Sequence, residues 1–224
     1  MINVNKELRN YIENSVMIQY DENNIRGHGK EHIETVISRS FELAKEFNLD
    51  LDPNMIYVIA AFHDIGYKTN PDEHKEVSSK MFLEDIKLKK FFNDDQIKII
   101  ADAIVDHRAS LEYEPRSIYG KLVSSADREI SVENMLKRSI LFQSDKHKNE
   151  NPTSMQVIEY SYKKLSSKYG KGGYAKMYFQ DEKYLNYLQK LQELLGDKDK
   201  FINAELDIIN EIEHCNEKTK KLVK

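Results

Sequence analysis

Apolar residues recur every three or four positions over long stretches of this chain, and alternating apolar and polar runs are scarce. That periodicity predicts helices throughout. A first helix is expected over about residues 4–20, ahead of a polar loop from Asp21 to Gly29. A second runs from about Lys30 to Phe47, with Ile33, Val36, Ile37, Ala44 and Phe47 as its stripe. Asp52-Pro53 reads as a cap followed by proline in the first turn, opening a third helix through Asp64. Gly66 and Pro71 mark the loop after it. A fourth helix starts near Glu73 and carries Val77, Met81 and Phe82. Asn93-Asp94 caps a fifth, which carries Ile97, Ile100, Ala101 and Ile104 to His107. After the break at Pro115, a sixth carries Ile118, Leu122, Val123 and Ala126 to Asp127 and Ile130. Further helices are expected near 132–145, 153–168, 181–195 and 198–220. In the last two, Leu185, Leu188, Leu191 and Leu195 are expected to pack on Phe201, Ile208, Ile209 and Ile212 as a hairpin. That hairpin either covers the core or joins two copies in a homodimer. The fold class is all-α, and since no repeat, low-complexity tract or linker interrupts the chain, residues 1–224 read as a single domain.

Composition narrows the classes. Over 224 residues, 40% are hydrophobic and 32% charged, as in a globular protein rather than a disordered one. A net charge of −4 gives no basis for general nucleic-acid binding. A single cysteine, Cys215, allows no intrachain disulfide, which suits a reducing compartment. The start, Met1-Ile2-Asn3-Val4-Asn5-Lys6, lacks the apolar core of a signal peptide. No apolar run approaches the ~20 residues that span a bilayer. A cytoplasmic protein with no membrane partner is the expectation.

Certain polar residues fall on the apolar faces. His32 precedes Val36 by four; His63 follows Ile59 by four, with Asp64 beside it; His107 follows Ile104 by three. Asp127 follows Val123 by four, and His74 precedes Val77 by three. A buried unpaired carboxylate costs several kcal/mol, so Asp64 and Asp127 require positive charge nearby. No Lys or Arg shares their stripes. A divalent cation with neutral imidazoles as further ligands meets the requirement, and helical bundles build such sites from inward side chains. The competing reading is a set of hydrogen-bonded core residues, which suits one histidine better than the joint pattern. His147, in a charged run, and His214, in a polar helix, read as surface residues. His28, in Arg26-Gly27-His28-Gly29, is open between loop residue and substrate contact.

The stretches Gly27-His28-Gly29-Lys30-Glu31-His32, Ala60-Ala61-Phe62-His63-Asp64-Ile65-Gly66 and Ser125-Ala126-Asp127-Arg128 carry a resemblance. In order and spacing they resemble the HD-domain superfamily of metal-dependent phosphohydrolases, named for its H…HD…D pattern. The resemblance covers about residues 25–130 and leaves 131–224 as a helical extension. It implies a first metal on His32, His63, Asp64 and Asp127. His74 and His107 resemble two further histidines that bind a second metal in some subgroups, with Asp64 between ions ~3.5–4 Å apart. For His74, in the polar run Asp72-Glu73-His74-Lys75, an exposed residue is the alternative. Imidazole and carboxylate together suit Fe, Mn, Zn or Ni.

The implied reaction is hydrolysis of a nucleotide or another small phosphoester or phosphoanhydride, by hydroxide furnished near neutral pH. Asp64 would be central to catalysis. Arg108, Arg128 and His28 are candidate substrate contacts, the arginines because a guanidinium fork suits phosphate. The residues His107-Arg108-Ala109-Ser110 lack the second His and Gly-Tyr-Pro segment of cyclic-dinucleotide phosphodiesterases of this superfamily. The extra histidines look more like those of bacterial symmetrical dinucleoside-tetraphosphate hydrolases. Two alternatives share the pattern: an HD-fold di-iron oxygenase, and a non-catalytic metal- or nucleotide-binding regulatory module. Lys163–Lys176, KKLSSKYGKGGYAK, is either a phosphate-attracting flap hinged at Gly170, Gly172 and Gly173 or a solvated turn.

Overall fold

Val4, Leu8, Ile12, Val16 and Tyr20 stand four residues apart, and all five are buried. An α-helix turns once per 3.6 residues, so each step of four overshoots the last by about 40°. The backbone absorbs this drift in a wide π turn, with α1 (Lys6–Tyr11) passing through Ile12–Val16 into α2 (Met17–Asp21). The helix expected over 4–20 therefore has a π turn at its middle. At its end, the Tyr20 hydroxyl donates to Ala61 O at 2.8 Å.

The computed structural model describes residues 3–21 and 28–222, with the side chains of 21 and 215–222 outside that description. Most of the expected Asp21–Gly29 loop, including Arg26 and the Gly27 that opens the first motif, and the side chain of Cys215 therefore lie outside the described residues. Among the described residues there are helices and turns but no strand.

α3 (Lys30–Glu46) begins after Gly29. α4 (Pro53–Phe62) begins where the Asp52 side chain accepts from Asn54 N at 2.8 Å, with Pro53 in the first turn. Every residue from Met55 to Ile65 is buried. A helix apolar all round belongs at the centre, and α4 is packed against α3, α5, α6 and α7. α5 (His74–Glu84) follows, then a short 3₁₀ turn at Leu88–Lys90. α6 (Asp94–Val105) opens with a capping box between Asn93 and Gln96. α7 (Ile118–Ala126) opens where Ser117 accepts from Gly120 N.

The chain divides into two compact units: Met1–Arg128 with Lys176–Asp181, and Glu129–Ala175 with Glu182–Lys224. The three crossings, at 128/129, 175/176 and 181/182, fall between helices without a Pro- or Ser-rich linker, so composition does not mark them. Lys176–Asp181 returns to the first unit. Ser125 Oγ accepts from Tyr178 N and Phe179 N at 3.2 Å each, Phe179 packs edge-to-face on Phe47, and buried Asp181 pairs with buried Arg39.

The second unit comprises α8 (Val132–Lys146), a 3₁₀ turn at Lys148–Glu150, α9 (Ser154–Tyr169), α10 (Glu182–Leu195) and α11 (Lys198–Leu222). The stripe of α10 is Tyr184, Tyr187, Leu191 and Leu195, not the four leucines expected; Leu185 is exposed and Leu188 half-buried. Tyrosines at the helical spacing carry more apolar area than leucines one position away, so the helix buries them. The basic segment begins within α9, passes its C-cap Gly170 and continues as turns, and Lys164 Nζ from the helix donates to Tyr174 Oη in the turns.

Candidate metal centre

The site is built where helices end. α4 stops at Phe62, so His63 is its C-cap and Asp64 lies in the next turn. α6 stops at Val105, two residues before His107, and α7 stops at Ala126 with Asp127 as C-cap. Each helix is shorter than expected, for a reason visible at the ends themselves. The last carbonyls of a helix have no intrahelical donor. His63 Nδ1–H donates to Ala60 O at 2.8 Å, and His107 Nδ1–H to Ile104 O at 2.6 Å. His74, first residue of α5, donates from Nδ1 to Pro71 O at 2.8 Å. With Nδ1 engaged in this way, Nε2 is the ring nitrogen left to face the acids or a metal ion, as in metal-binding histidines. His32 comes from the first turn of α3.

These atoms converge on Asp64. Its Oδ2 lies 3.3 Å from His63 Nε2, 3.5 Å from His32 Nε2 and 2.6 Å from His28 Nδ1. Its Oδ1 lies 3.3 Å from His74 Nε2 and 3.5 Å from His107 Nε2. Asp127 Oδ1 closes the first cluster, 3.1 Å from His32 Nε2 and 3.7 Å from His63 Nε2. The Nε2 atoms of His63 and His32 are 3.3 Å apart, as are those of His74 and His107. Ligands ~2.0–2.2 Å from one ion stand roughly 3–3.5 Å from each other. His32, His63 and Asp127 form one group able to hold a metal ion, Asp64, His74 and His107 a second, and His28, His32 and Asp64 a third.

The electrostatics agree. Burial alone would raise the Asp64 carboxyl, but charge on His63 and hydrogen bonds from His107, His28 and His32 hold it well below the usual range. Asp127 is likewise held low against its burial, by His32 and His63. Burial works against a charged His32, yet Asp127 and Asp64 push it up to about 9; His63 is raised for the same reason. Burial lowers His74. Two acids stay ionised here only by sharing positive charge. The C-terminal ends of α4, α6 and α7 add partial negative charge, which also favours a cation. The donor set fits a divalent transition metal at each of the two clusters.

The floor is closed and one side is open. His63, Asp64, His74 and His107 side chains are at most 5% exposed, whereas Asp127, His32 and His28 are 19%, 15% and 21% exposed. Arg108, half-buried, has Nη1 3.5 Å from Asp72 O. Arg128 is buried, with Nη2 donating to Ser124 Oγ at 2.7 Å and to His107 O at 3.3 Å, and Nη1 3.5 Å from Asp127 Oδ2. His147 and His214 lie elsewhere, His147 on Glu150 and Tyr160 in the second unit.

Two contributors had no signal in the periodicity. Tyr67 stacks on His28, with ring centroids 3.8 Å apart. Asp106, fully buried, accepts from Arg116 N, Nε and Nη2 and from Tyr113 Oη, anchoring the loop after His107. An acid directly before a candidate ligand His, with an arginine ten residues on, was the available clue.

No helix among the described residues is long and apolar enough to cross a membrane. Among curated proteins and among solved structures, nothing matches the chain. The model of the HD domain family matches residues 29–130, and HD domains are commonly metal-dependent hydrolases. The matched segment carries the paired His63-Asp64 at the end of its central helix, so residues 29–130 are similar to the HD domain.

Proposed function

We propose that the protein is a two-metal phosphohydrolase acting on a nucleotide or another small phosphoester or phosphoanhydride. The observation that carries this reading is the division of Asp64, whose Oδ2 faces one histidine cluster while its Oδ1 faces the other. In this assignment His32, His63, Asp64 and Asp127 hold the first cation; Asp64, His74 and His107 hold the second. Fe, Mn, Zn and Ni all suit the donors. Two divalent cations against two carboxylates leave the centre positive, which favours an anionic substrate.

When bound, such ions supply a water activated near neutral pH and neutralise charge on phosphoryl oxygens. The chain's own residues do the rest. Asp64 spaces the two clusters. Last-turn carbonyls fix the imidazole tautomers, and Arg128 steadies Asp127 and the His107 carbonyl. Substrate enters on the open side, over His28, His32 and Asp127, and Arg108 is the guanidinium available to its phosphate.

The test is elemental analysis of the purified protein, then a phosphate-release screen across nucleotides with the metal found restored. Two metals per chain and phosphate release from a nucleotide are expected, both lost in Asp64→Ala. Oxygen consumption by a reduced, iron-loaded sample without phosphate release would favour an oxygenase instead. Tight nucleotide binding without turnover would favour a regulatory module.

A further inference from the structure

His28 differs from the other imidazoles of the cluster. It comes from the loop before α3 rather than from a helix end, and it meets Asp64 through Nδ1 rather than Nε2. Its distance to Asp64 Oδ2, 2.6 Å, is shorter than the 3.3–3.5 Å separating Asp64 from the other four histidines. That is the length of a charge-assisted hydrogen bond, shorter than the separation of two ligands on one ion.

The ring is held for this contact. Tyr67 lies parallel to it, within 18°, and is carried by the turn that carries Asp64, where Tyr67 N donates to Asp64 O at 3.0 Å. The turn presenting the carboxylate thus also presents the surface that aims the donor at it.

We infer that His28 is a positioning residue for the bridging carboxylate, donating from Nδ1 to Asp64 Oδ2 without binding a cation. The inference rests on the two-cation reading of the centre. Its consequence is specific: Asp64 alone faces both clusters, so a donor that fixes Asp64 supports both cations at once. A ligand to the first cation would support that cation alone. Losing an outer hydrogen bond of this kind lowers metal affinity about 10–100-fold.

The experiment titrates Mn2+ into metal-stripped full-length protein and counts free Mn2+ by its electron paramagnetic resonance signal. Wild type, His28→Ala and His28→Asn are compared, each verified as folded by its thermal melt. Asn places an amide N–H near the position of imidazole Nδ1 and is a poor ligand for transition metals. Wild type is expected to bind two Mn2+. In His28→Ala both affinities should fall about 10–100-fold at unchanged stoichiometry, and His28→Asn should restore most of the loss. Loss confined to one of the two affinities, no loss at all, or an Asn variant as weak as Ala overturns the inference while leaving the two-cation reading intact. Wild type that binds no Mn2+, and no other metal by elemental analysis, overturns both.

Discussion

Asp64 and Glu205 are both carboxyls removed from water, and their surroundings drive them in opposite directions. Asp64 is ringed by imidazoles and stays ionised. Glu205, in the core of the second unit, receives only the Ser161 hydroxyl at 2.5 Å, itself joined to Ser139 at 2.7 Å, and its Oε2 has no partner. Burial pushes it up to about 8 against that hydrogen bond. Because the folded value lies above the unfolded one, the unfolded chain releases this proton first as pH rises. Glu205 therefore destabilises the fold increasingly from about pH 4.5 to about pH 8, by at most ~1.4 kcal/mol per pH unit, and the effect then levels off. Glu205→Gln should be more stable than wild type at pH 7.5 and lose that advantage towards pH 4.5, as read from urea midpoints across the range. An advantage independent of pH would show that Glu205 does not titrate there. On the two-metal proposal, His107→Ala should leave one metal per chain and weaken the second site by at least ~100-fold, whereas Asp64→Asn should weaken both. Elemental analysis after gel filtration distinguishes the two patterns.

At the scale of helices, the legible features were those written into periodicity and caps. The stripe of α3 exposed His32 as an inward polar residue, Asp52-Pro53 located the start of α4, and Asn93 located the start of α6. Periodicity did not reveal where α4, α6 and α7 stop, because His63, His107 and Asp127 would point inward from a continued helix as well as from a cap. The turn that separates Asp64 from His63, and lets its two oxygens face different clusters, is a property of the backbone path. Asp106 was hidden for a different reason: its partners come from a loop whose return to α6 depends on tertiary structure. That anchor is testable. Asp106 is fully buried and accepts from a backbone amide, a guanidinium and a tyrosine hydroxyl, whereas the Arg116 side chain is 45% exposed. Asp106→Ala orphans the amide and should cost about 1–3 kcal/mol. Arg116→Ala leaves Asp106 two other donors and should cost less. Denaturant midpoints that reverse this order would show that the loop is held by something else.

For the molecule as a whole, the notable feature is that the first unit is completed from beyond the segment that the family model matches. The family match ends at residue 130, yet Lys176–Asp181 belongs to the first unit. Asp181 carries the largest consequence. Arg39 and Asp181 are 5% and 2% exposed and form a buried ion pair, with Glu42 Oε2 a more distant second acid at 3.4 Å from Arg39. Removing one partner of a buried pair leaves a desolvated charge and typically costs 3–5 kcal/mol, while replacing both with apolar groups is often neutral. Asp181→Leu alone should therefore destabilise the first unit by about 3–5 kcal/mol, and Arg39→Met with Asp181→Leu should recover most of that loss. Chemical denaturation of the three proteins at one pH supplies the cycle. If the double variant is as unstable as Asp181→Leu, the loss comes from apolar packing around the returning segment rather than from an uncompensated arginine. Either way, a chain cut after residue 130 lacks Asp181 and strips Ser125 of the two backbone donors it receives from Tyr178 and Phe179. The first compact unit and the family segment are thus not the same stretch of chain.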